Sequence, residues 1–173
     1  MSRKHLQSVA MVALAASVLA LGACALAPAA SSPASIDPPQ GQPIMTLTAS
    51  GIQIYSCEFD AHHRLGWVFQ SPQATLFDRS GHAAVRHGAG PSWEAQDGSR
   101  IVGHVLSQRP SDNNASVPQL LLETHSVGGS GVLSAVRYVQ RVHTVGGVMP
   151  AGACTAQGQV GSSPYLAQYV FYQ

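Results

Sequence analysis

The sequence carries little charge and has no lysine beyond its fourth residue. Charged residues make up 10% of the 173 residues, and two of the nine basic ones, Arg3 and Lys4, lie close to the N terminus. The remaining seven (9 − 2 = 7) are arginines that face eight acidic residues. A nearly neutral chain without a basic stripe lacks the electrostatic footprint on which phosphate binding depends. These counts exclude nucleic acid as an expected partner.

The sequence also lacks a long membrane-spanning run. Residues 9–21 are uncharged and apolar, but they are fewer than the roughly 20 residues that a membrane helix needs. They follow Arg3 and Lys4 and end in small residues, which is typical of a secretory signal. We therefore predict a signal peptide over residues 1–23.

The signal ends in the tetrapeptide LGAC at residues 21–24, which resembles a bacterial lipobox. In that motif the cysteine is lipidated and becomes the first residue of the mature protein. We predict a lipid anchor at Cys24 that holds the protein to the outer membrane, since Ala25 rather than aspartate follows, with the domain in the periplasm. The alternative is cleavage near Ala29 or Ala30, which would give a secreted soluble protein.

The remaining chain divides into a tether and one domain. Removing residues 1–23 leaves 150 residues (173 − 23 = 150), enough for one domain with a substantial core. Residues 24–45 comprise Cys24 and a segment rich in Ala, Ser, Pro, Gln and Gly, which is typical of a flexible tether. Residues 46–173 are predicted to form the domain.

Cysteine is scarce, and the two cysteines outside the leader lie far apart. Cys57 and Cys154 are separated by 97 positions (154 − 57 = 97) in a chain that carries an export signal. An oxidising compartment favours a disulfide between them, worth about 4 to 5 kcal/mol by the chain-entropy model. A redox or metal-binding thiol pair is the alternative, although the sequence has no C-x-x-C motif.

No segment shows a sustained helical period, whereas several alternate with the period of a strand. Residues 51–59, 132–143 and 164–172 combine β-branched and aromatic residues, and the Asp-Gly pair at 97–98 is a hairpin signal. The fold class is predicted to be all-β, an antiparallel sandwich or flattened barrel of about seven strands. At most one or two short helical turns are expected, one of them at residues 71–77, where Ser and Pro could begin a helix.

Four ordered motifs resemble the family known as domain of unknown function 3455. They are GIQIYSC at 51–57, HGAGPSWEAQDGSRIVG at 87–103, YVQRVHTVGG at 138–147 and PYLAQYVFY at 164–172. The resemblance implies an exported domain without an established activity. The chain departs from the family at Gln119, where members usually carry tryptophan.

Three kinds of catalytic or metal site compete with structural explanations of the same residues. His82 and His87, together with His62, His63 or His104, could supply imidazoles to zinc or copper. Scattered surface histidines are the better explanation, because residues five apart on one strand point to opposite faces. Ser92 follows Gly90 and Pro91 and does not fit a nucleophile elbow. Glu94 and Asp97 could form a carboxylate pair, but Asp97 is explained by the turn. The sequence predicts no metal, cofactor or catalytic residue.

The best candidate for a ligand site combines His87, Trp93 and Arg141 near the Gly-Pro turn at 90–91. Trp93 would supply an apolar face, and Arg141 would bind an anion or, alternatively, form a salt bridge with a carboxylate. The favoured function is a non-catalytic envelope lipoprotein that binds a small molecule, a glycan or an envelope protein. The alternative is an envelope hydrolase or metal-dependent oxidoreductase that uses residues 87–97.

Overall fold

The computed structural model describes residues 34–173, which form eight antiparallel strands. Each strand pairs with the next and β8 pairs with β1, so the sheet closes into a barrel. The predicted signal peptide, Cys24 and the first part of the predicted tether lie outside the described residues. The strands are β1 (Pro43–Phe59), β2 (Leu65–Phe77), β3 (Ala83–Gly88), β4 (Ser92–Ala95), β5 (Arg100–Arg109), β6 (Gln119–Gly128), β7 (Tyr138–Gly146) and β8 (Val160–Tyr172).

The all-β prediction with a flattened barrel is confirmed, with eight strands in place of about seven. The predicted helical turn at residues 71–77 is wrong, because these residues are the second half of β2 and pair with β1 and β3. Pro72 lies where β2 has no partner on its β3 side, a position at which a strand tolerates proline. Among the described residues, no helix is long and apolar enough to cross a membrane.

The predicted strand over residues 132–143 begins later than expected, since β7 starts at Tyr138. The preceding residues form turns because they are tied to the β4–β5 hairpin. The Val132 N–H donates to Asp97 Oδ2 at 2.8 Å, and the Leu133 N–H donates to the Ser99 hydroxyl at 3.2 Å. These bonds replace the ladder that a longer β7 would need.

Part of the predicted tether packs against the barrel. Ile36 is buried and packs against Leu121 and Tyr138 on the outer side of the sheet, and its carbonyl accepts a hydrogen bond from Gln140 at 2.9 Å. Strand β1 already begins at Pro43, upstream of the start predicted at residue 46. A segment that looks like a linker by composition therefore contributes an apolar anchor to the fold.

The interior of the barrel has two halves of different chemistry. One half is an apolar core with residues from β1 to β8, such as Leu47, Leu76, Ile101 and Phe171. The other half contains the following buried polar or aromatic side chains: Gln53, Tyr55, His87, Trp93, Arg141, Tyr165 and Tyr169. Trp93, Tyr165 and Tyr169 lie at the boundary and also pack against the apolar core. Burying polar groups is costly unless they are hydrogen-bonded. Their concentration in the second half therefore indicates a role other than simple packing.

The predicted disulfide is confirmed. Cys57 and Cys154 are bonded, with their Cα atoms 5.7 Å apart, and the bond ties the end of β1 to the loop before β8. The neighbouring Trp67 pairs with Cys57 across the β1–β2 ladder, and its indole N–H donates to the Gly152 carbonyl at 2.7 Å. The loop before β8 is thus attached to both strands.

Candidate functional site

The barrel wall has a gap between β2 and β5. The hairpin between them is short, because β3 has 6 residues and β4 has 4, whereas β2 has 13 and β5 has 10. The β2–β3 ladder stops at the pair Ala74 and His87, and the β4–β5 ladder stops at Ser92 and Val102. Beyond these pairs β2 and β5 face each other without an intervening strand, and we call this opening the lateral gap.

A cavity of about 290 Å³ extends from the lateral gap into the polar half of the barrel, and we call it the side cavity. Its lining residues are Phe69, Gln70, Pro72, His87, Gly90, Pro91, Trp93, Val105, Leu120, Leu122, Arg141 and Tyr169. Phe69 and Val105, on the two strands that flank the gap, are 50% and 48% exposed. Phe69 packs edge-on against Tyr55 with ring centroids 5.8 Å apart, so the rim of the cavity is apolar and aromatic.

Two of the predicted site residues stack at the inner wall of the side cavity. His87 on β3 and Trp93 on β4 are direct cross-strand neighbours, so their side chains share the inward face. Their rings lie nearly parallel, with centroids 4.7 Å apart and an interplanar angle of 10°. Tyr169 on β8 completes the aromatic wall, with its ring centroid 5.2 Å from that of His87.

The hydrogen bonding of His87 fixes its tautomer. Nδ1 lies 2.8 Å from the carbonyl oxygen of Ser92, which can only accept, so Nδ1 carries the proton. Burial lowers the pKa of His87 to about 4, and the charge of Arg141 acts in the same direction. The imidazole is therefore neutral at pH 7, and Nε2 is a hydrogen-bond acceptor with no partner among the described residues.

Arg141 on β7 is the third predicted residue, and it also lines the side cavity. It is only 8% exposed, and its Nε and Nη2 donate to the Pro118 carbonyl at 3.3 and 2.8 Å. None of the carboxylates in residues 34–173 lies within 4.0 Å of this guanidinium. The arrangement leaves a buried cation at the cavity wall with a neutral partner only.

The alternative in which Arg141 pairs with a carboxylate on a neighbouring strand is wrong. Glu94 instead binds Arg86 on the outer surface at 2.9 Å. Asp97 accepts hydrogen bonds from Ser99 and Val132 and closes the β4–β5 turn. Alternation explains the difference, because Arg141 points into the barrel while Glu94 points outward with Arg86.

The polar half of the barrel holds further buried groups beside the predicted trio, and one of them, Tyr169, lines the cavity. The Tyr165 and Tyr169 hydroxyls lie 3.4 Å apart, and burial raises the pKa of both, which keeps them protonated. Gln53 faces the same half of the barrel, and its Nε2 has no partner within the described part of the chain. Glutamine at an inward position of β1, between Gly51 and Tyr55, is the signal that could have indicated a polar interior.

The candidate catalytic and metal-binding residues do not come together in the part of the chain that the structure describes. Within residues 34–173, no three side chains of the types that hold metals lie together. His82 is exposed beside Asp78, with Nδ1 3.5 Å from the carboxylate, and His104 lies 3.4 Å from Glu123 on the outer surface. His87 contacts the Ser92 carbonyl rather than its hydroxyl, so this pair does not form a base and a nucleophile.

Fold and site together define an all-β barrel domain with an aromatic-lined cavity that contains a buried arginine and opens through the barrel wall. Residues 38–173 match the family described as "Protein of unknown function (DUF3455)", and the chain belongs to this family. No curated protein and no solved structure matches the chain. The family assignment supplies no ligand or reaction, so a function has to be inferred from the cavity.

Proposed function

We propose that this domain binds a small, mainly apolar molecule that carries one anionic group, and that it does so in the side cavity without chemical change. The observation that carries the proposal is the buried guanidinium of Arg141 at the cavity wall, with no carboxylate near it among the described residues. Burying a cation without a counter-charge costs several kcal/mol. A ligand carboxylate or similar anion would supply the missing charge through charge-assisted hydrogen bonds.

The rest of the cavity fits the apolar part of such a molecule. A volume of about 290 Å³ is at the small end of ligand pockets, which favours a single ring system over a glycan chain or a protein segment. Trp93, Tyr169, Leu120 and Leu122 provide apolar surface around Arg141. Phe69 and Val105 at the lateral gap give the ligand an apolar entrance. If Cys24 is lipidated, this binding site is held at the envelope.

The hydrolase or oxidoreductase alternative has less support from the geometry. Its segment, residues 87–97, contributes His87 and Trp93 to the cavity, but Glu94 points outward and Asp97 serves the turn. General base catalysis requires a base within hydrogen-bond reach of a reacting group. His87 is neutral and could accept a proton, yet its neighbours in the cavity are aromatic rings and a guanidinium.

The test measures binding of benzoate and of its uncharged analogue benzamide by calorimetry. Wild-type protein should bind benzoate, and Arg141→Gln should weaken that binding at least about tenfold, because loss of one partner of a buried charge pair costs 2 kcal/mol or more. Arg86→Gln is the matched control, since Arg86 is next to His87 in sequence but lies on the outer surface. Equal binding of benzamide, or equal benzoate binding by Arg141→Gln, would refute the proposal.

A further inference from the structure

We propose that the ligand of the side cavity also presents a hydrogen-bond donor on its ring, so that the domain selects hydroxylated aryl carboxylates over unsubstituted ones. The inference rests on the proposed function, because it concerns the same cavity and takes the Arg141 anion site as given. The group that would recognise the donor is His87 Nε2. Selection follows from the different hydrogen-bonding capacities of His87 and Arg141.

His87 is fixed as an acceptor by its own contacts. Its Nδ1 proton is engaged by the Ser92 carbonyl at 2.8 Å, and stacking on Trp93 at 4.7 Å holds the ring in place. The side chain points into the barrel, so Nε2, on the ring edge away from Cβ, faces the interior. Burial keeps the pKa of His87 at about 4, and Nε2 thus retains its lone pair at neutral pH.

The other inward side chains of the cavity complement this acceptor. Arg141 and the Trp93 indole can only donate, and the indole N–H is buried without a partner in the described part of the chain. The Tyr169 hydroxyl has the Tyr165 hydroxyl 3.4 Å away. His87 Nε2 is therefore the fixed neutral acceptor beside a cationic donor. A ligand that matches both needs an anion and a separate O–H or N–H group.

The shape of the wall favours placing both groups on a flat ring. Trp93 and His87 present stacked planes, and Tyr169 meets the two rings at 66° and 60°, respectively. Aromatic ligands pack well against such surfaces in offset or edge-to-face geometry. A ring without a donor would bury Nε2 unpaired, and an unpaired buried acceptor is costly. Sites built to bind a hydroxyl discriminate against ligands that lack it for this reason.

The experiment compares benzoate with meta- and para-hydroxybenzoate. Binding of the three acids to the otherwise unmodified protein is followed by calorimetry. We expect one of the hydroxybenzoates to bind about three- to tenfold more tightly than benzoate, the effect of one net hydrogen bond. Two ring positions are tried because the spacing of the two groups decides which hydroxyl reaches Nε2.

His87→Asn separates the acceptor from the rest of the site. The asparagine amide can still donate to the Ser92 carbonyl, but it has no atom at the Nε2 position. We expect this variant to bind benzoate and hydroxybenzoate equally, while Arg141→Gln loses both. His82→Asn, at an exposed histidine, is the matched control and should keep the wild-type preference.

The outcomes are distinguishable. Benzoate binding that depends on Arg141 without any preference for a hydroxybenzoate overturns the inference and leaves the proposed function intact. A preference that persists in His87→Asn also overturns the inference, because a group other than His87 would then bind the hydroxyl. Failure of all three acids to bind at millimolar concentration overturns the proposed function and the inference together. Absence of a preference in the wild-type protein overturns the inference even if His87→Asn does not fold.

Discussion

Acidification should destabilise this domain through His87. The buried imidazole has a pKa of about 4 in the folded protein, against an ordinary value of 6.5 in the unfolded chain. Between these two pH values the unfolded chain binds the proton and the folded protein does not. The contribution of His87 to the free energy of unfolding is therefore fully present above pH 6.5 and is lost as the pH falls towards 4.

The size of this effect follows from the same two values. Their difference corresponds to about 3 kcal/mol of unfolding free energy, with a maximal slope of about 1.4 kcal/mol per pH unit for one proton. Backbone hydrogen bonds from Arg64 and His82 lower the pKa values of Asp60 and Asp78, respectively, below the usual 3.8. These two carboxylates therefore titrate below the window between pH 6.5 and 4 in which His87 acts.

Urea unfolding at a series of pH values between about 7 and 4 measures the effect. We expect His87→Asn to be less stable than wild type at neutral pH and to lose less stability on acidification, since asparagine does not titrate. His82→Asn is the control, because that histidine is exposed and should leave the wild-type pH dependence unchanged. Parallel pH profiles for wild type and His87→Asn would refute the conclusion that a neutral, buried His87 is part of the fold.

Two further predictions concern the cysteines. Cys24→Ser should release the protein from the membrane fraction into the soluble periplasmic fraction in a bacterial host, because the lipobox thiol would be lost; continued membrane retention would exclude a lipid anchor at Cys24. Replacing Cys57 and Cys154 together by alanine should lower the free energy of unfolding by about 2 to 5 kcal/mol relative to disulfide-bonded wild type, measured by urea titration, and reduced wild type should resemble the variant. An unchanged midpoint would show that the disulfide does not stabilise the domain.

The sequence predicted the strands because their signal is local. Alternation and the Asp-Gly turn at residues 97–98 depend on neighbouring residues only, and the observed β4–β5 hairpin follows from them. The error at residues 71–77 has the opposite cause. A Ser-Pro pair can begin a helix, but here the pairing of β2 with β1 and β3, which are distant in sequence, decides the conformation. Rules for helix capping consider neighbouring residues only and cannot account for such pairing.

The candidate site was partly accessible from the sequence for a similar reason. His87 and Trp93 lie on adjacent strands of one hairpin, so their proximity could be anticipated from short-range order. That Arg141 points into the barrel beside them depends on the closure of the sheet through β8, which the sequence does not specify. The lateral gap depends on the unequal lengths of β2 to β5. Phe69 gained its place in the site through this non-local geometry.

The disulfide lies where the lateral gap weakens the barrel. The first residues of β2 are held by β1 alone, because β3 ends at Gly88 and leaves them without a second neighbour. Cys57 lies opposite this part of β2, and Trp67 adds its bond to Gly152 in the loop that carries Cys154. A one-sided strand would otherwise move, and motion of Phe69, two residues away, would change the rim of the cavity. A rim that is fixed before the ligand binds loses less conformational entropy on binding. The disulfide that stabilises the fold therefore also preorganises the proposed site.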